Sequence, residues 1–596
     1  MQDAVINTPY KNTQQADVGQ DAPANIAKPR SAATPPQTAC ERLDSGPQDL
    51  AALSCGYRTP RQLRRWLTQY QSTGPDPQRT AGTLRALLAE IARWQATPQR
   101  RLACLEALRP PVFALCEALT PTSDIQLAPT PDSRRSVLTA CILLQHLAQA
   151  DSSVAVALVR QPRGLFYRAT LARSLHRAQD GYRRLIRTSS RFYLATPKHC
   201  WVRMQALVQL AREQQLESRR VGTPFTPEGT ARKLPRRENV IAPYLHAALF
   251  ASANPLQLGA DEQQQLWRLS ARWAVGTLLR ANALNNGKYL LASLRLDQPP
   301  IPSVRLQRTG VDLKHFSAPL GWAIDLAPSL LLIDKRLRKP TGAASSLIEH
   351  VRTLWSGEQG RHTVRTPVNL RCEVVLGISG ICHQLRNAHE SGTADNRAPL
   401  AAGADQDTVQ RLVMDVGTID FSTGRALDDY EVTLPSAPTL RHEDEDRARQ
   451  QRSRYQSASA TLLNLSARGA GLRLPQALQG RIHCGDLIGL TLNGRWQVAQ
   501  VRWQYALPDH CRAGVELLGG RTTAVWVHRY NSNGGRTDPM PALLTGDANG
   551  IPELILPIPL FQRGDQVDIV SAGQRRSVTL HQQTSTSASF AIFEFS

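Results

Sequence analysis

The sequence predicts a multidomain α+β protein in which an α-helical N-terminal region, solenoid-like or a bundle, precedes antiparallel β-structure and a small C-terminal β-module. From about residue 58 to residue 283, apolar residues recur at the spacing of amphipathic helices. Beyond about residue 360, apolar and polar residues alternate between Gly and Asn-Gly turns, which is typical of antiparallel strands. With 596 residues, 41% of them hydrophobic, the chain is long enough to fold into several domains.

The N-terminal part of the chain divides into three predicted segments. Residues 1–57 are rich in Gln, Ala, Pro and Asp without apolar periodicity, which predicts a disordered tail. Residues 58–283 are predicted as an α-helical domain and residues 284–357 as a connecting α+β segment. Helices are expected within the domain at 165–186, 201–214, 242–253 and 261–283. The repeat is not regular, so the sequence leaves open a solenoid that docks a protein partner and a bundle that only packs on the β-structure.

Two short motifs in the β-rich part carry the functional prediction. Arg361-His-Thr-Val-Arg365 precedes an extended run, and Asn464-Leu-Ser466-Ala-Arg-Gly469 follows about a hundred residues later. With 63 arginines in the chain, about seven RxxxR pairs are expected by chance, so the first motif alone is weak and the second is rarer. A guanidinium can bind a phosphate or a guanine edge through two parallel hydrogen bonds. In an extended segment, Asn464 and Ser466 would point to the same face.

Together the two motifs resemble the RxxxR and [D/N]xSxxG signatures of the PilZ family, bacterial receptors for cyclic di-GMP. The strands that end with Trp503 and with Leu518 look like the second half of a PilZ barrel. The resemblance covers about residues 358–530 and implies a PilZ-like antiparallel β-barrel. It also implies a ligand site. In that site Arg361 and Arg365 hold phosphate and guanine, and Asn464 and Ser466 bond a guanine edge. Gly469 gives a tight turn or a close backbone approach.

The chain departs from the family pattern in the spacing of the motifs. Arg365 and Asn464 are 99 positions apart, whereas PilZ domains usually separate the motifs by a few tens of residues. Residues near 385–460 are therefore predicted to be an insertion, with a strand at 409–421 and a charged run at 441–454 that is either a solvated segment or a partner-binding element. Residues 531–596 are predicted to form the C-terminal β-module.

The remaining composition argues against several functional classes. Ten cysteines occur without a CxxC pair and fourteen histidines without metal-ligand spacing, and the common catalytic motifs do not occur. We therefore expect no enzymatic activity, no metal and no cofactor. Neither a secretory segment nor an apolar run near 18 residues is visible, which predicts a cytoplasmic location without a membrane span.

The resemblance implies a cyclic di-GMP-binding effector that passes the signal to a protein partner, through the helical region or the insertion. Control of motility, adhesion, pili or exopolysaccharide is the implied output, and the residues do not choose among these. One alternative is a degenerate PilZ protein that acts as a ligand-independent scaffold, favoured if the insertion separates the motifs. Another is a basic nucleic-acid-binding protein, suggested by the net charge of +22; the scattered arginines and the lack of a nucleic-acid signature argue against it.

Overall fold

The structure is a computed structural model that describes residues 38–596, except for 44–45, 73, 75, 121–130, 162–163, 165, 224–236, 284–287, 308–315, 339–343, 358–365, 391–454, 479–480, 508, 520–521, 531–534, 547–551, 559, 572 and 588. Most of the predicted tail, the predicted strand at 409–421 and the charged run at 441–454 therefore lie outside the described residues.

The N-terminal region is helical, as the apolar spacing predicts. Its helices are α1 (Ala39–Leu43), α2 (Pro60–Ser72), α3 (Pro77–Arg93), α4 (Pro98–Leu119), α5 (Pro131–Arg160), α6 (Tyr167–Arg191), α7 (Cys200–Glu213), α8 (Ala242–Ser252) and α9 (Ala260–Ala274). Strands β1 (Arg220–Gly222) and β2 (Arg237–Asn239) form a small hairpin between α7 and α8. Side chains cap the starts of α3 and α4, where Asp76 and Thr97 accept backbone N–H groups.

Helix α5 lies at the centre of this region. Helices α3, α4 and α6 all pack against it, an arrangement that favours the bundle over the solenoid. Leu143 and Leu147 are fully buried, and burial of each such side chain stabilises the fold by about 1.5–3 kcal/mol. Gly181 of α6 allows close packing, because a Cβ there would lie 2.8 Å from the Cβ of Ala148. By length and composition, α5 could cross a membrane, but 72% of its most apolar 18-residue stretch is buried inside the protein.

Two predicted boundaries of the helical region are wrong. Residues 39–43, assigned to the disordered tail, form α1, because Ala39 and Leu43 bury their side chains in the helical core. Helix α9 ends at Ala274 rather than at residue 283. The chain then turns into strand β3 (Leu278–Arg280), whose backbone pairs with a later strand.

A four-stranded antiparallel sheet connects the helices to the β-rich part. It has the order β3-β6-β4-β5; one of the three further helices of this segment packs on its strands, and the other two pack on each other and on α9. Its other strands are β4 (Tyr289–Ser293), β5 (Ile301–Pro302) and β6 (Gly321–Asp325), and the helices are α10 (Ser303–Gln307), α11 (Ala327–Leu337) and α12 (Ala344–Ser356). Every residue of β4 and β6 is buried, so these strands extend the hydrophobic core of the helical region.

Two closed antiparallel barrels follow, which confirms the predicted fold class. The first has the order β10-β11-β12-β9-β8-β7 and the second the order β13-β14-β15-β18-β17-β16. The strands of the first are β7 (Thr366–Leu376), β8 (Ala458–Ser466), β9 (Gly469–Pro475), β10 (Leu487–Leu492), β11 (Arg495–Ala506) and β12 (His510–Leu517). Those of the second are β13 (Thr523–Arg529), β14 (Met540–Gly546), β15 (Pro552–Pro557), β16 (Gln566–Ser571), β17 (Gln574–Thr586) and β18 (Phe590–Phe595).

The boundary between the barrels differs from the predicted one at residue 531. Strand β13 pairs with β14 and β16, so it belongs to the C-terminal barrel. Val525 and Val527 of this strand point into the core of that barrel. The pairing partner of a strand depends on residues far along the chain, which is why alternation alone placed β13 in the wrong barrel.

Helix α13 (Gly377–Glu390) continues directly from β7 and packs against strands of both barrels. Only its last residues, 385–390, fall within the insertion predicted near 385–460. Its residues Ile381, Cys382 and Leu385 share one buried cluster with Leu543 and Phe590 of the second barrel. The helix therefore joins the two barrels through a common hydrophobic core.

The first barrel also packs on the helical region. The backbone N–H of Ala506, at the end of β11, donates to the carbonyl oxygen of Tyr193 over 2.8 Å. The guanidinium of Arg134 on α5 donates to the carbonyl oxygen of Leu507 over 2.6 Å. The C-terminal end of β11 therefore contacts the helical region.

Candidate functional site

The register of β7 and β8 brings the residues that follow the first motif beside the second motif. Thr366, the residue after Arg365 in the sequence, pairs with Leu465, and Pro367 pairs with Asn464. Arg361 and Arg365 lie outside the described residues. The 99-residue separation in sequence therefore does not separate the start of β7 from the second motif.

A row of paired residues continues from Asn464 across the barrel. Asn464 pairs with Gly471 of β9, Gly471 with Gly514 of β12, and Gly514 with Trp503 of β11. The neighbours of these glycines along β9 and β12, such as Ala470 and Ala513, point into the barrel core. Since side chains alternate along a strand, the row lies on the outer face.

Two β-bulges aim the outer side chains of this row. On β8 the register shifts between Leu462 and Asn464, and on β11 it shifts between Val501 and Trp503. Leu462 and Val501 both point into the core. Without the extra residue in each strand, Asn464 and Trp503 would also face the core, because a slip of one residue reverses the face. The bulges turn both side chains to the outside.

The two glycines of the row make its floor flat. A Cβ at Gly471 would lie 2.7 Å from Nδ2 and 2.8 Å from Oδ1 of Asn464, so the amide group lies directly over this glycine. A Cβ at Gly514 would overlap the indole of Trp503 in the same way. We call the surface formed by Asn464, Gly471, Gly514 and Trp503 the glycine row. An amide at one end and an indole at the other suit a planar, polar ligand such as a nucleobase.

Asn464 carries a polar atom without a partner. Its Oδ1 is buried, and no described residue donates a hydrogen bond to it. A buried acceptor left unsatisfied costs about 1–3 kcal/mol. Such an atom is typical of a ligand site, because a donor on the ligand can satisfy it.

Ser466 and Gly469 close the turn between β8 and β9. The Ser466 hydroxyl donates to the carbonyl oxygen of Gly469 over 3.1 Å, so its hydrogen is used there and only its lone pairs remain for a ligand donor. A Cβ at Gly469 would lie 2.6 Å from the carbonyl oxygen of Val515. Both roles predicted for this glycine are seen, because Gly469 and Ser466 flank a two-residue turn and the backbone of Val515 approaches Gly469 closely. As expected from the alternation, Asn464 and Ser466 lie on the same face of β8. On the neighbouring strand β9 they pair with Gly471 and Gly469, respectively.

Cationic side chains border the glycine row. In the adjacent row on the outer face, Arg473 pairs with Arg512, and Arg512 pairs with Tyr505. Burial raises the pKa of Tyr505, and the nearby Arg512 guanidinium opposes that shift. Arg502, the extra residue of the β11 bulge, forms an ion pair of 2.6 Å with Glu516. Guanidinium groups beside a flat surface fit an anionic ligand with planar rings.

Sequence reasoning missed three members of the glycine row. Gly471 stands two positions after the motif glycine, Gly514 opens a predicted strand, and Trp503 ends another. Each residue is visible in the sequence, but whether they lie side by side depends on how β8, β9, β12 and β11 pair. Only the strand order reveals that they belong with Asn464.

Two observations on the described residues concern metal ligands and thiols. The described part of the chain contains no group of three or more His, Cys, Asp or Glu side chains that could hold a metal ion. Burial raises the pKa of the thiols of Cys141 and Cys382 to about 12, so these cysteines are poor nucleophiles.

Comparisons with known proteins find matches over most of the chain. Three family models match: the N-terminal domain of the cyclic-di-GMP receptor FimW over residues 61–282, its middle PilZ domain over 298–523 and its C-terminal β-barrel domain over 525–596. The cyclic-di-GMP receptor FimW of Pseudomonas aeruginosa is 23% identical over 565 residues, 90% of each chain. No solved structure matches. Because the chain carries the PilZ signatures, forms a closed barrel and matches the middle PilZ domain model, it is a member of the PilZ family.

Proposed function

We propose that this protein is an effector that binds cyclic di-GMP on the glycine row of its first barrel. The observation that carries the proposal is the register that brings the start of β7, directly after Arg365, beside the unsatisfied amide oxygen of Asn464. The similarity to a protein named as a cyclic-di-GMP receptor supports the same ligand.

The chemistry of the side chains assigns each a role in the proposed complex. Arg361 and Arg365 hold phosphate and guanine, which match the fork of a guanidinium. The Asn464 amide bonds a guanine edge, with Ser466 accepting a hydrogen bond beside it. Trp503 stacks on a base, a contact worth about 1–3 kcal/mol.

Two strands connect the proposed site to the rest of the molecule. Strand β7 leads from the site into α13, which is packed between the barrels. Strand β11 carries Trp503 and, three residues later, Ala506, which bonds Tyr193 of the helical region. We propose that binding changes how the helical region and the second barrel are held, and that a protein partner reads this change through the helical region or the insertion. The ligand can drive such a change only if it binds one arrangement more tightly.

Calorimetric titration of the full-length protein with cyclic di-GMP tests the ligand, with GTP and cyclic di-AMP as controls. We expect selective binding that is lost in Arg361→Ala and strongly weakened in Asn464→Ala. The matched control is Arg65→Ala, which removes an exposed arginine from the Arg61-xxx-Arg65 pair on α2. No binding at high ligand concentration would reject the proposal and leave the ligand-independent scaffold as the better account.

Hydrogen exchange with and without saturating ligand tests the signal. We expect changed protection in β11, in α13 and near Tyr193, because these segments connect the site to its neighbours. Identical exchange profiles would reject the change of arrangement while leaving the ligand site intact.

A further inference from the structure

The helical region contains a cavity that has no part in the glycine row. It has a volume of about 600 Å³ and lies between α4, α6 and α9. Pockets of about 300–1,000 Å³ are typical of small-molecule sites. Phe113, Leu144 and Phe250 form part of its wall, and charged side chains form much of the rest.

The charges that line this cavity are mostly positive. Arg184, Arg187 and Arg191 follow one another on α6 at spacings of three and four residues, so they share one face of the helix. The rise of the helix places them about 4.5 and 6 Å apart along its axis. Arg268 of α9 faces them across the cavity. Glu117 and Asp261 are the only acidic residues that line the described cavity, against four arginines, one of which, Arg184, forms an ion pair with Asp180 outside the lining.

Two of the guanidinium groups are held in place. Arg184 lies over the ring of Phe113, 4.0 Å from its centroid, and its Nε donates to Asp180 over 2.9 Å. Arg187 lies over the ring of Trp267, 5.1 Å from its centroid, and its Nη2 donates to the amide oxygen of Gln264 over 2.8 Å. Cations fixed before a ligand arrives lose little entropy on binding it.

Positive charge around Arg187 exceeds negative charge, because beyond the effect of burial three arginines lower its pKa and Glu117 acts in the opposite direction. Within the described residues, its hydrogen bond goes to the neutral amide of Gln264, and it forms no ion pair. Burial, with the like charges of Arg184, Arg191 and Arg268 around it, lowers the pKa of Arg187 to about 10. A partly buried cation among three others is unfavourable by itself, and a bound anion would remove that repulsion.

We propose that this cavity binds a phosphate monoester of nucleotide size, with the phosphate held by Arg187, Arg191 and Arg268. A phosphate monoester carries a charge of about −1.5 to −2 at neutral pH and three strong acceptor oxygens, so it complements a positive lining and offers several guanidinium groups an acceptor each. The volume leaves room for a sugar and a ring beside the phosphate. The apolar wall of the cavity covers the sugar and the ring. The side-chain amides of Gln263 and Gln264, which also line the cavity, can bond polar atoms of the sugar or the ring.

The test uses AMP as the probe, because an adenine does not match the guanine chemistry proposed for the glycine row. Full-length protein is titrated in a calorimeter with AMP, with adenosine and with inorganic phosphate. We expect AMP to bind with one site per chain, inorganic phosphate to bind more weakly, and adenosine not to bind. Arg187→Gln and Arg268→Gln should each weaken AMP binding by about tenfold or more, since each removes a charge-assisted hydrogen bond.

The matched control is Arg272→Gln, an exposed arginine one turn after Arg268 on the same helix. It should leave AMP binding unchanged. Arg268 is also exposed, so its replacement tests the site even if Arg187→Gln lowers the stability of the domain. The proposal is overturned if AMP does not bind at millimolar concentration, if adenosine binds as well as AMP, or if Arg268→Gln binds AMP like the unmodified protein. None of these results depends on cyclic di-GMP binding to the barrel.

Discussion

Replacing Asn464 by Ala should have opposite effects on binding and on stability. In the ligand-free protein, the Asn464 amide lies over Gly471 with its Oδ1 buried and without a donor from any described residue. An unsatisfied buried acceptor costs about 1–3 kcal/mol, so its removal should leave the free energy of unfolding unchanged or raise it by about 1 kcal/mol. In the proposed complex the same amide bonds a guanine edge, a contact worth about 1–3 kcal/mol of discrimination. Affinity for cyclic di-GMP should therefore fall by about 5- to 150-fold.

The assay combines calorimetric titration with thermal unfolding of the ligand-free protein. Ser466→Ala is the structural comparison, because it removes the hydrogen bond to the Gly469 carbonyl oxygen and should lower the stability of the barrel by about 0.5–1.5 kcal/mol. The reasoning is refuted if Asn464→Ala destabilises the ligand-free protein by more than about 1 kcal/mol and leaves the affinity unchanged. Asn464 would then be a structural residue of the bulge.

Three further predictions follow from single contacts. Trp503→Ala should weaken cyclic di-GMP binding by about tenfold or more in a calorimetric titration, because one stacked base is lost. Gly469→Ala should lower the free energy of unfolding by about 1–3 kcal/mol in a denaturant titration, since its methyl group would meet the backbone oxygen of Val515, which cannot rotate away. Burial, followed by the charge of Arg183, lowers the pKa of His246 to about 3. The stability that neutral His246 contributes is therefore present above pH 6.5 and lost as the pH falls toward 3, by about 1.4 kcal/mol per pH unit. His246→Gln should show a smaller loss of melting temperature between pH 7.5 and 5.5, and an equal loss would contradict this assignment.

Much of the helical region could be predicted from the sequence. The helix predicted at 242–253 is observed at Ala242–Ser252, and that at 201–214 is observed at Cys200–Glu213. Helical periodicity is a local property, because the residues that share a face are three or four positions apart. Predictions were wrong where a segment depends on a distant partner. Leu278–Arg280 became a strand because β6 pairs with it, although its own sequence continues the helical pattern.

The sequence by itself determined the chemistry of the proposed site, since the spacing within Arg361-xxx-Arg365 and Asn464-x-Ser466-xx-Gly469 is enough to reveal the family resemblance. Only the tertiary structure decided that Asn464 and Trp503 lie on one outer face with glycines between them. The reason is that a bulge of one residue reverses the face of every side chain after it, and no single strand shows which partner it pairs with or where the register shifts. The same holds for the arginine cavity, whose cations come from α6 and α9 and meet only because the helices pack together.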